Sequence, residues 1–254
     1  MTIAEAIISG IVQGVTEFLP VSSSGHLVFL HKLFGLNEPT LHFDICLHAA
    51  TLLAVVSYFR KDISRLVNEK NTRYLIFIII AAIPAVVVGV LFEQYITMFF
   101  MSPKRTAAML LFTSFVLFLG QIVSRKRVES GKTLTVRSSF AIGAAQAVAL
   151  LPGVSRSGMT ITAGLFSGIK AEEAFRFSFL LSIPVILGAL VYKLLTSGFC
   201  DLSGNIAQYA SGMVFAFITG IVSLFLLWKA MRHKYLFVFA VYCLMLGIAG
   251  LLFF

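Results

Sequence analysis

A polar segment near the start of a largely apolar chain carries groups that could do chemistry. Ser22-Ser23-Ser24-Gly25-His26 follows Glu17, and Gln13 lies four residues before Glu17, so a helix would place Gln13 and Glu17 on one face. A hydroxyl, an imidazole and a carboxylate within ten residues are the parts of a nucleophile, a general acid–base, and an orienting or metal-binding partner. The alternative is that Gln13 and Glu17 only satisfy backbone or helix–helix hydrogen bonds.

A second polar segment, Gly153-Val154-Ser155-Arg156-Ser157-Gly158, combines hydroxyls, a fixed cation and glycines, and Thr160 follows it. A helix is expected to open at about Met159. Backbone N–H groups at a helix N-terminus favour an anion, and a guanidinium can hold phosphate oxygens in bidentate fashion. The segment therefore predicts a phosphate clamp, unless Arg156 only pairs with a carboxylate such as Glu17 for structural reasons.

The two segments match each other at an offset of 133 residues. Six of the thirteen positions from 13 to 25 are identical to their counterparts, among them Gln13 with Gln146 and Ser22 with Ser155. This similarity indicates an internal duplication.

Composition sets the class of protein that carries these segments. Hydrophobic residues make up 59% of the 254-residue chain and charged residues 12%, against about 25% charged in ordinary soluble domains. These figures exclude a soluble globule, a disordered chain and a coiled coil. The net charge is +9, but the sequence has no soluble domain with a basic–aromatic patch that could bind nucleic acid. Nucleic acid is therefore not an expected partner. We interpret the chain as a single integral membrane domain over residues 1–254.

Two kinds of apolar segment are present. Six are long enough to cross a bilayer, at about 41–60, 74–93, 106–124, 174–195, 208–228 and 235–254. Regions 2–36 and 138–170 are interrupted midway by the polar segments, and each half is too short to span comfortably. Irregular backbone at membrane depth survives only where protein or a water-filled cavity surrounds it. The predicted fold is therefore an all-α polytopic membrane protein with six transmembrane helices and two re-entrant helix–loop–helix hairpins.

The order of these segments predicts an inverted-topology repeat. Three crossings separate the two hairpins, so the copies, about 1–124 and 138–254, have opposite orientations. Residues 60–73, 125–137, 170–176 and 229–234 collect fifteen Lys and Arg, whereas the other face has four. The positive-inside rule then places the first face in the cytoplasm and both termini outside.

Three further histidines lie away from both polar segments. His31, His42 and His48 have no companion motif, and we interpret them as structural or interfacial.

Residues 13–26, QGVTEFLPVSSSGH, and 152–160, PGVSRSGMT, resemble the two signature motifs of a known family. These are the bacterial undecaprenyl-diphosphate phosphatases, also called bacitracin-resistance (BacA/UppP) proteins. The motifs are long, specific and in the expected order, and the hydrophobic pattern matches across essentially the whole chain.

The resemblance implies an inner-membrane enzyme that hydrolyses undecaprenyl diphosphate to the monophosphate. This reaction recycles the lipid carrier of peptidoglycan synthesis and confers bacitracin resistance, with a site that faces the periplasm or exterior. The partners implied are this diphosphate and membrane lipid, and a homodimer is one possible assembly.

The resemblance also assigns roles. Ser23 matches the hydroxyl proposed as nucleophile, His26 the essential histidine and Arg156 the arginine that grips the diphosphate. Dependence on a divalent metal, Mg or Ca, is implied, and Glu17 is the one carboxylate in either motif, so at most a sparse site completed by the substrate is expected. The substrate-binding residues expected are Gln13, Ser22, Ser24, Gln146, Gly153, Ser155, Ser157, Gly158 and Thr160.

The expected mechanism has Ser23 attack the terminal phosphorus while His26 moves the proton and Glu17 orients His26 or holds the metal. Spacing leaves open whether His26 is instead the nucleophile or activates water directly. The rival function is a transporter or flippase of the isoprenoid lipid, because inverted repeats with broken helices also form carriers.

Overall fold

The computed structural model describes residues 1–36, 41–126, 131–197, 206–233 and 235–254. Within these ranges the chain forms twelve helices and no strand, which confirms the all-α prediction. The helices are α1 (Ile3–Phe18), α2 (Ser23–Leu33), α3 (Leu41–Tyr58), α4 (Arg60–Asn68), α5 (Thr72–Leu91), α6 (Glu93–Phe100), α7 (Pro103–Lys126), α8 (Val136–Val148), α9 (Arg156–Phe166), α10 (Ala171–Ser197), α11 (Ile206–Arg232) and α12 (Leu236–Phe253).

Five of the six predicted spanning segments are confirmed as helices long and apolar enough to cross a membrane: α5, α7, α10, α11 and α12. The sixth, predicted at 41–60, passes the same test only when α3 and α4 are counted together, and that pair is bent by 65°. Arg60 was expected to end an element, but it begins α4, a short helix with no buried residue whose exposed side chains include Lys61 and Arg65.

Each polar segment lies between two helices that pack on each other. Residues 19–22 separate α1 from α2, and residues 149–155 separate α8 from α9. We call these two segments the first loop and the second loop. The prediction of a helix–loop–helix unit at each motif is confirmed in its local form.

Close helix packing fixes the helix that leads into the first loop. α1 packs most extensively on α11, and a Cβ added to Gly10 would overlap the Gly212 carbonyl oxygen. The second half of the chain repeats this contact, because a Cβ on Gly143 of α8 would overlap the Ala81 carbonyl oxygen of α5. Gly10 and Gly143 are separated by the same 133 residues as the two motifs. Small residues let membrane helices approach closely.

Substitution of Gly10 by alanine is expected to destabilise the protein by about 1–3 kcal/mol, because the backbone of α11 must move to accept the methyl group. Thermal unfolding in detergent micelles measures this effect. Gly188→Ala is the matched control, since a Cβ at Gly188 meets no atom within 4 Å. Equal unfolding temperatures for the two variants would contradict the proposed tight contact.

The remaining helices close around the two loops. α7 packs extensively on α12, and α10 packs on α3, α5 and α9. α6 is tied to α10 by Glu93, which accepts hydrogen bonds from Lys193 at 2.6 Å and Tyr192 at 2.7 Å. These two bonds hold the pKa of the Glu93 carboxyl below its usual range. The hydrophobic core includes Phe175, Phe177 and Phe179 of α10, and the last of these reaches the polar site.

Candidate active site

Each loop ends at a serine that caps the following helix. Ser22 Oγ accepts the Gly25 N–H at 3.3 Å, and Ser155 Oγ accepts the Gly158 N–H at 3.1 Å. In both cases the same Oγ also lies 3.3 Å from a hydroxyl two residues on, that of Ser24 in α2 and that of Ser157 in α9. The duplicated sequence therefore folds into duplicated local structure, with a serine N-cap at each site.

Ser22 adopts an unusual backbone conformation, with φ of +67°. A serine in this region of φ is strained unless neighbouring contacts hold it there. Its hydroxyl accepts the Gly153 N–H at 3.1 Å, a bond between residues 131 positions apart in the sequence. Ser22, the strained residue of the first loop, is therefore also the residue that hydrogen-bonds to the second loop.

The two loops touch directly. A Cβ on Gly25 would lie 3.3 Å from the Gly153 Cα, and Gly153 itself has φ of +94°, a conformation that favours glycine. Thr113 of α7 braces the second loop, because its hydroxyl donates to the Gly153 carbonyl at 2.7 Å and accepts the Ser155 N–H at 3.1 Å. Thr113 belongs to neither motif and was missed by the sequence analysis.

Glu17 is the centre of the polar contacts between the two helix–loop–helix units. Its Oε1 accepts from Arg156 Nη2 at 2.8 Å, and its Oε2 accepts from Ser23 Oγ at 2.6 Å and from Gln13 Nε2 at 3.1 Å. The carboxylate is buried, and the Arg156 side chain is largely buried. Glu17, Ser23 and Arg156, which the sequence named as functional, are thus brought into one hydrogen-bonded cluster.

One guanidinium nitrogen of Arg156 takes no part in these contacts. Among the described residues, its buried Nη1 has no hydrogen-bond partner, whereas Nη2 is used by Glu17. The guanidinium carbon lies 5.6 Å from the centroid of the Phe179 ring, which supports the planar group from α10. The sequence left open whether Arg156 pairs with Glu17 or binds phosphate. Both are compatible, because the pairing with Glu17 leaves Nη1 available to an anion.

His48 was interpreted from sequence as structural or interfacial, and the structure places it in this cluster instead. Its Nδ1 lies 3.1 Å from Gln13 Nε2 and 3.6 Å from Glu17 Oε2, and about a third of its side chain is exposed. The signal that could have found it is the presence of an imidazole inside an apolar, membrane-length segment, where ionisable groups are costly and functional by default.

His26 has hydrogen-bond partners other than Glu17. Its Nδ1 lies 2.7 Å from the Ser22 carbonyl oxygen, and its Nε2 lies 2.7 Å from the hydroxyl of Tyr242 on α12. The expectation that Glu17 orients His26 therefore differs from the structure, in which Tyr242 and the backbone hold the imidazole. The hydrogen-bond partner of the Ser23 hydroxyl is Glu17.

The remaining predicted residues surround this cluster. Thr160 donates to the Arg156 carbonyl at 2.8 Å and lies 2.6 Å from the hydroxyl of Ser178, so it supports the first turn of α9. Gln146 is buried, and neither of its amide atoms has a hydrogen-bond partner among the described residues. The structure does not join Gln146 to Glu17 or Arg156 by a described hydrogen bond.

The donor set does not fit a resident divalent metal. The described residues contain no group of three or more His, Cys, Asp or Glu side chains that could hold one. Both oxygens of Glu17 already accept hydrogen bonds, and one of them faces the positive charge of Arg156. Hard cations such as Mg²⁺ and Ca²⁺ need several oxygen ligands. Besides Glu17 the cluster offers only neutral oxygens, such as the Ser23 hydroxyl and the buried Gln13 Oε1, which has no partner among the described residues.

A family model described as bacitracin resistance protein BacA matches residues 6–249, a range that includes both loops and every residue of the cluster. The chain belongs to the BacA family. The family resemblance inferred from the two motifs is thereby confirmed.

Individual BacA relatives match over nearly the whole chain. An undecaprenyl-diphosphatase of Syntrophotalea carbinolica is 40% identical over 257 residues, covering 97% of each chain. Undecaprenyl-diphosphatase 1 of Shouchella clausii is 37% identical and covers 100% of this chain and 97% of its own. An undecaprenyl-diphosphatase of Korarchaeum cryptofilum is 36% identical, with 98% of each chain covered.

Proposed function

We propose that this chain hydrolyses undecaprenyl diphosphate to undecaprenyl phosphate and inorganic phosphate. The proposal rests on the hydrogen-bonded cluster around Glu17. Glu17 binds both the Ser23 hydroxyl and Arg156, and the buried Nη1 of Arg156 has no partner among the described residues. A hydroxyl held by a carboxylate beside an unsatisfied guanidinium suits phosphoryl transfer. The relatives named undecaprenyl-diphosphatase support the substrate.

The proposed mechanism uses Glu17 as the base. Ser23 Oγ attacks the terminal phosphorus, its proton passes to Glu17 across the 2.6 Å hydrogen bond, and the bond to the bridging oxygen breaks to release undecaprenyl phosphate. Water then attacks the phosphorylated serine while His26 takes a proton from it. The bond between phosphorus and Ser23 Oγ breaks, inorganic phosphate leaves, and Ser23 regains the proton that Glu17 held. Arg156 and the backbone N–H groups of the second loop stabilise the charge on the transferring group. Gln13 fixes the Glu17 carboxylate.

The proposed membrane arrangement is an inverted repeat whose two helix–loop–helix units are re-entrant. It is supported by the contacts repeated at the offset of 133, which are the serine caps and the tight glycine contacts of α1 and α8. We place both termini outside a bacterial inner membrane and direct the site to the exterior, because the basic residues concentrate on the other face. In this orientation the enzyme would recycle the cell-wall lipid carrier and confer bacitracin resistance.

Phosphate release by the purified protein in detergent tests the function. Undecaprenyl diphosphate is expected to release one phosphate per molecule, and undecaprenyl phosphate, which has no phosphoric anhydride, is the matched control that releases none. A transporter or flippase would release phosphate from neither lipid. A parallel assay with a chelator tests the Mg or Ca dependence that the family resemblance implies.

A further inference from the structure

The imidazole of His26 is held between two hydrogen-bond partners. The Ser22 carbonyl is an acceptor only, so the Nδ1 that lies 2.7 Å from it carries the proton, and this bond sets the tautomer. In the neutral ring Nε2 then has a lone pair and accepts the hydroxyl of Tyr242, which lies 2.7 Å away. The side chain that holds Nε2 therefore comes from α12.

Tyr242 contacts His26 from the opposite half of the chain. Its ring lies parallel to the His26 ring within 2°, with the ring centroids 5.6 Å apart. The next residue, Cys243, is buried, and its thiol lies 3.7 Å from the carbonyl oxygen of Pro20 in the first loop. α12 thus contacts both the first loop and the histidine that follows it, while 40% of Tyr242 stays exposed.

Only part of this arrangement is needed for packing. Ala240, Gly247 and Gly250 of α12 are buried, and the two glycines allow close approach to α7 and α2. The Tyr242 hydroxyl adds a hydrogen bond to Nε2, the atom of the neutral His26 ring that can take up a proton. Because Tyr242 is 40% exposed, its hydroxyl contributes little to the core, and its consequence falls on His26.

We propose that Tyr242 is a positioning residue for His26, which holds the imidazole and aims Nε2 in the substrate-free enzyme. The inference rests on the proposed phosphatase function and assigns to it a residue outside both motifs. Tyr242 acts through His26 and not by contact with the diphosphate. Its loss is therefore expected to slow the chemical step and to leave substrate binding nearly unchanged.

Tyr242→Phe keeps the ring and removes only the hydroxyl. We expect kcat for phosphate release to fall by about three- to tenfold, the effect of one lost hydrogen bond, with KM changed by less than about twofold. Tyr192→Phe is the matched control, because it also removes one tyrosine hydroxyl bond, the one to Glu93 at 2.7 Å, away from the loops. Thermal unfolding of both variants checks that each is folded.

Nuclear magnetic resonance of ¹⁵N-histidine-labelled protein in micelles reports directly on the hydrogen bond between Tyr242 and His26. The split between kcat and KM separates a positioning role from a merely structural one. The His26 signals are identified by their loss in His26→Asn. The Nε2 resonance is expected to shift in Tyr242→Phe and to stay in place in Tyr192→Phe. An unshifted Nε2 resonance, or a Tyr242→Phe variant with wild-type kcat, overturns the inference. A wild-type protein that releases no phosphate would instead refute the proposed function, and the resonance would still test the pairing.

Discussion

Replacement of Arg156 by alanine is expected to lower kcat/KM for phosphate release by at least about 10²-fold, the usual effect of removing one preorganised donor to a developing negative charge. The structure gives a second reason. Glu17 Oε1 loses the guanidinium that lies 2.8 Å away, which leaves a buried carboxylate without its cation. Steady-state phosphate release from undecaprenyl diphosphate measures the loss.

A lysine at this position separates charge from geometry. Arg156→Lys keeps the cation but cannot bind Glu17 through one nitrogen and an anion through another, so activity is expected to stay far below wild type. Arg176→Lys is the matched control, because Arg176 pairs with Asp62 at 3.2 Å and is about half exposed. Near-wild-type turnover of Arg156→Lys would remove the interpretation of Arg156 as a phosphate clamp.

The local part of the site could be predicted from the sequence because it depends on neighbours in the chain. Ser22 and Ser155 cap helices that begin at the next residue, and such caps follow from residue type and position. The pairing of Glu17 with Arg156 was considered from the motifs alone, since a carboxylate and a cation at membrane depth need each other. The match at an offset of 133 indicated that both loops are built alike, and the repeated serine caps agree with it.

The rest of the site depends on which helices pack together, and no local pattern encodes that. His48, Thr113 and Tyr242 come from α3, α7 and α12, and none of them lies in either motif. The predicted partnership of Glu17 and His26 followed from their nearness in sequence. In the structure the turn of α2 directs the imidazole of His26 toward α12, and His48 lies beside Glu17 instead.

Hydropathy alone also misplaced one element boundary and missed one short helix. The charged residues after Tyr58 were expected to interrupt the helical structure, but they form α4, which continues after a bend of 65°. α6 was not predicted because its eight residues are too few for a spanning segment. A window long enough to detect a membrane span averages over such short helices.

Ser23→Ala and Glu17→Gln are expected to be the next most severe substitutions. Removal of the Ser23 hydroxyl eliminates the proposed nucleophile, and Glu17→Gln keeps the shape of the side chain but cannot take the proton, so each is expected to cost about 10²–10⁴ in kcat. The two groups share one 2.6 Å hydrogen bond and act in the same step. The double variant is therefore expected to have about the same kcat as the less active of the two single variants. Multiplied losses in the double variant would show that the two residues act independently.

The matched control and a chemical trap decide which atom becomes phosphorylated. Glu5→Gln alters another carboxylate of α1, one that is partly buried and serves the helix cap at Thr2, so it should leave turnover unchanged. Rapid acid quenching with substrate labelled in the terminal phosphate should leave acid-stable label on Ser23 in the wild type and none in Ser23→Ala. An acid-labile, base-stable adduct at His26 would instead make the imidazole the nucleophile. Since His26 Nε2 faces Tyr242 while the Ser23 hydroxyl faces its base, the geometry favours label on the serine.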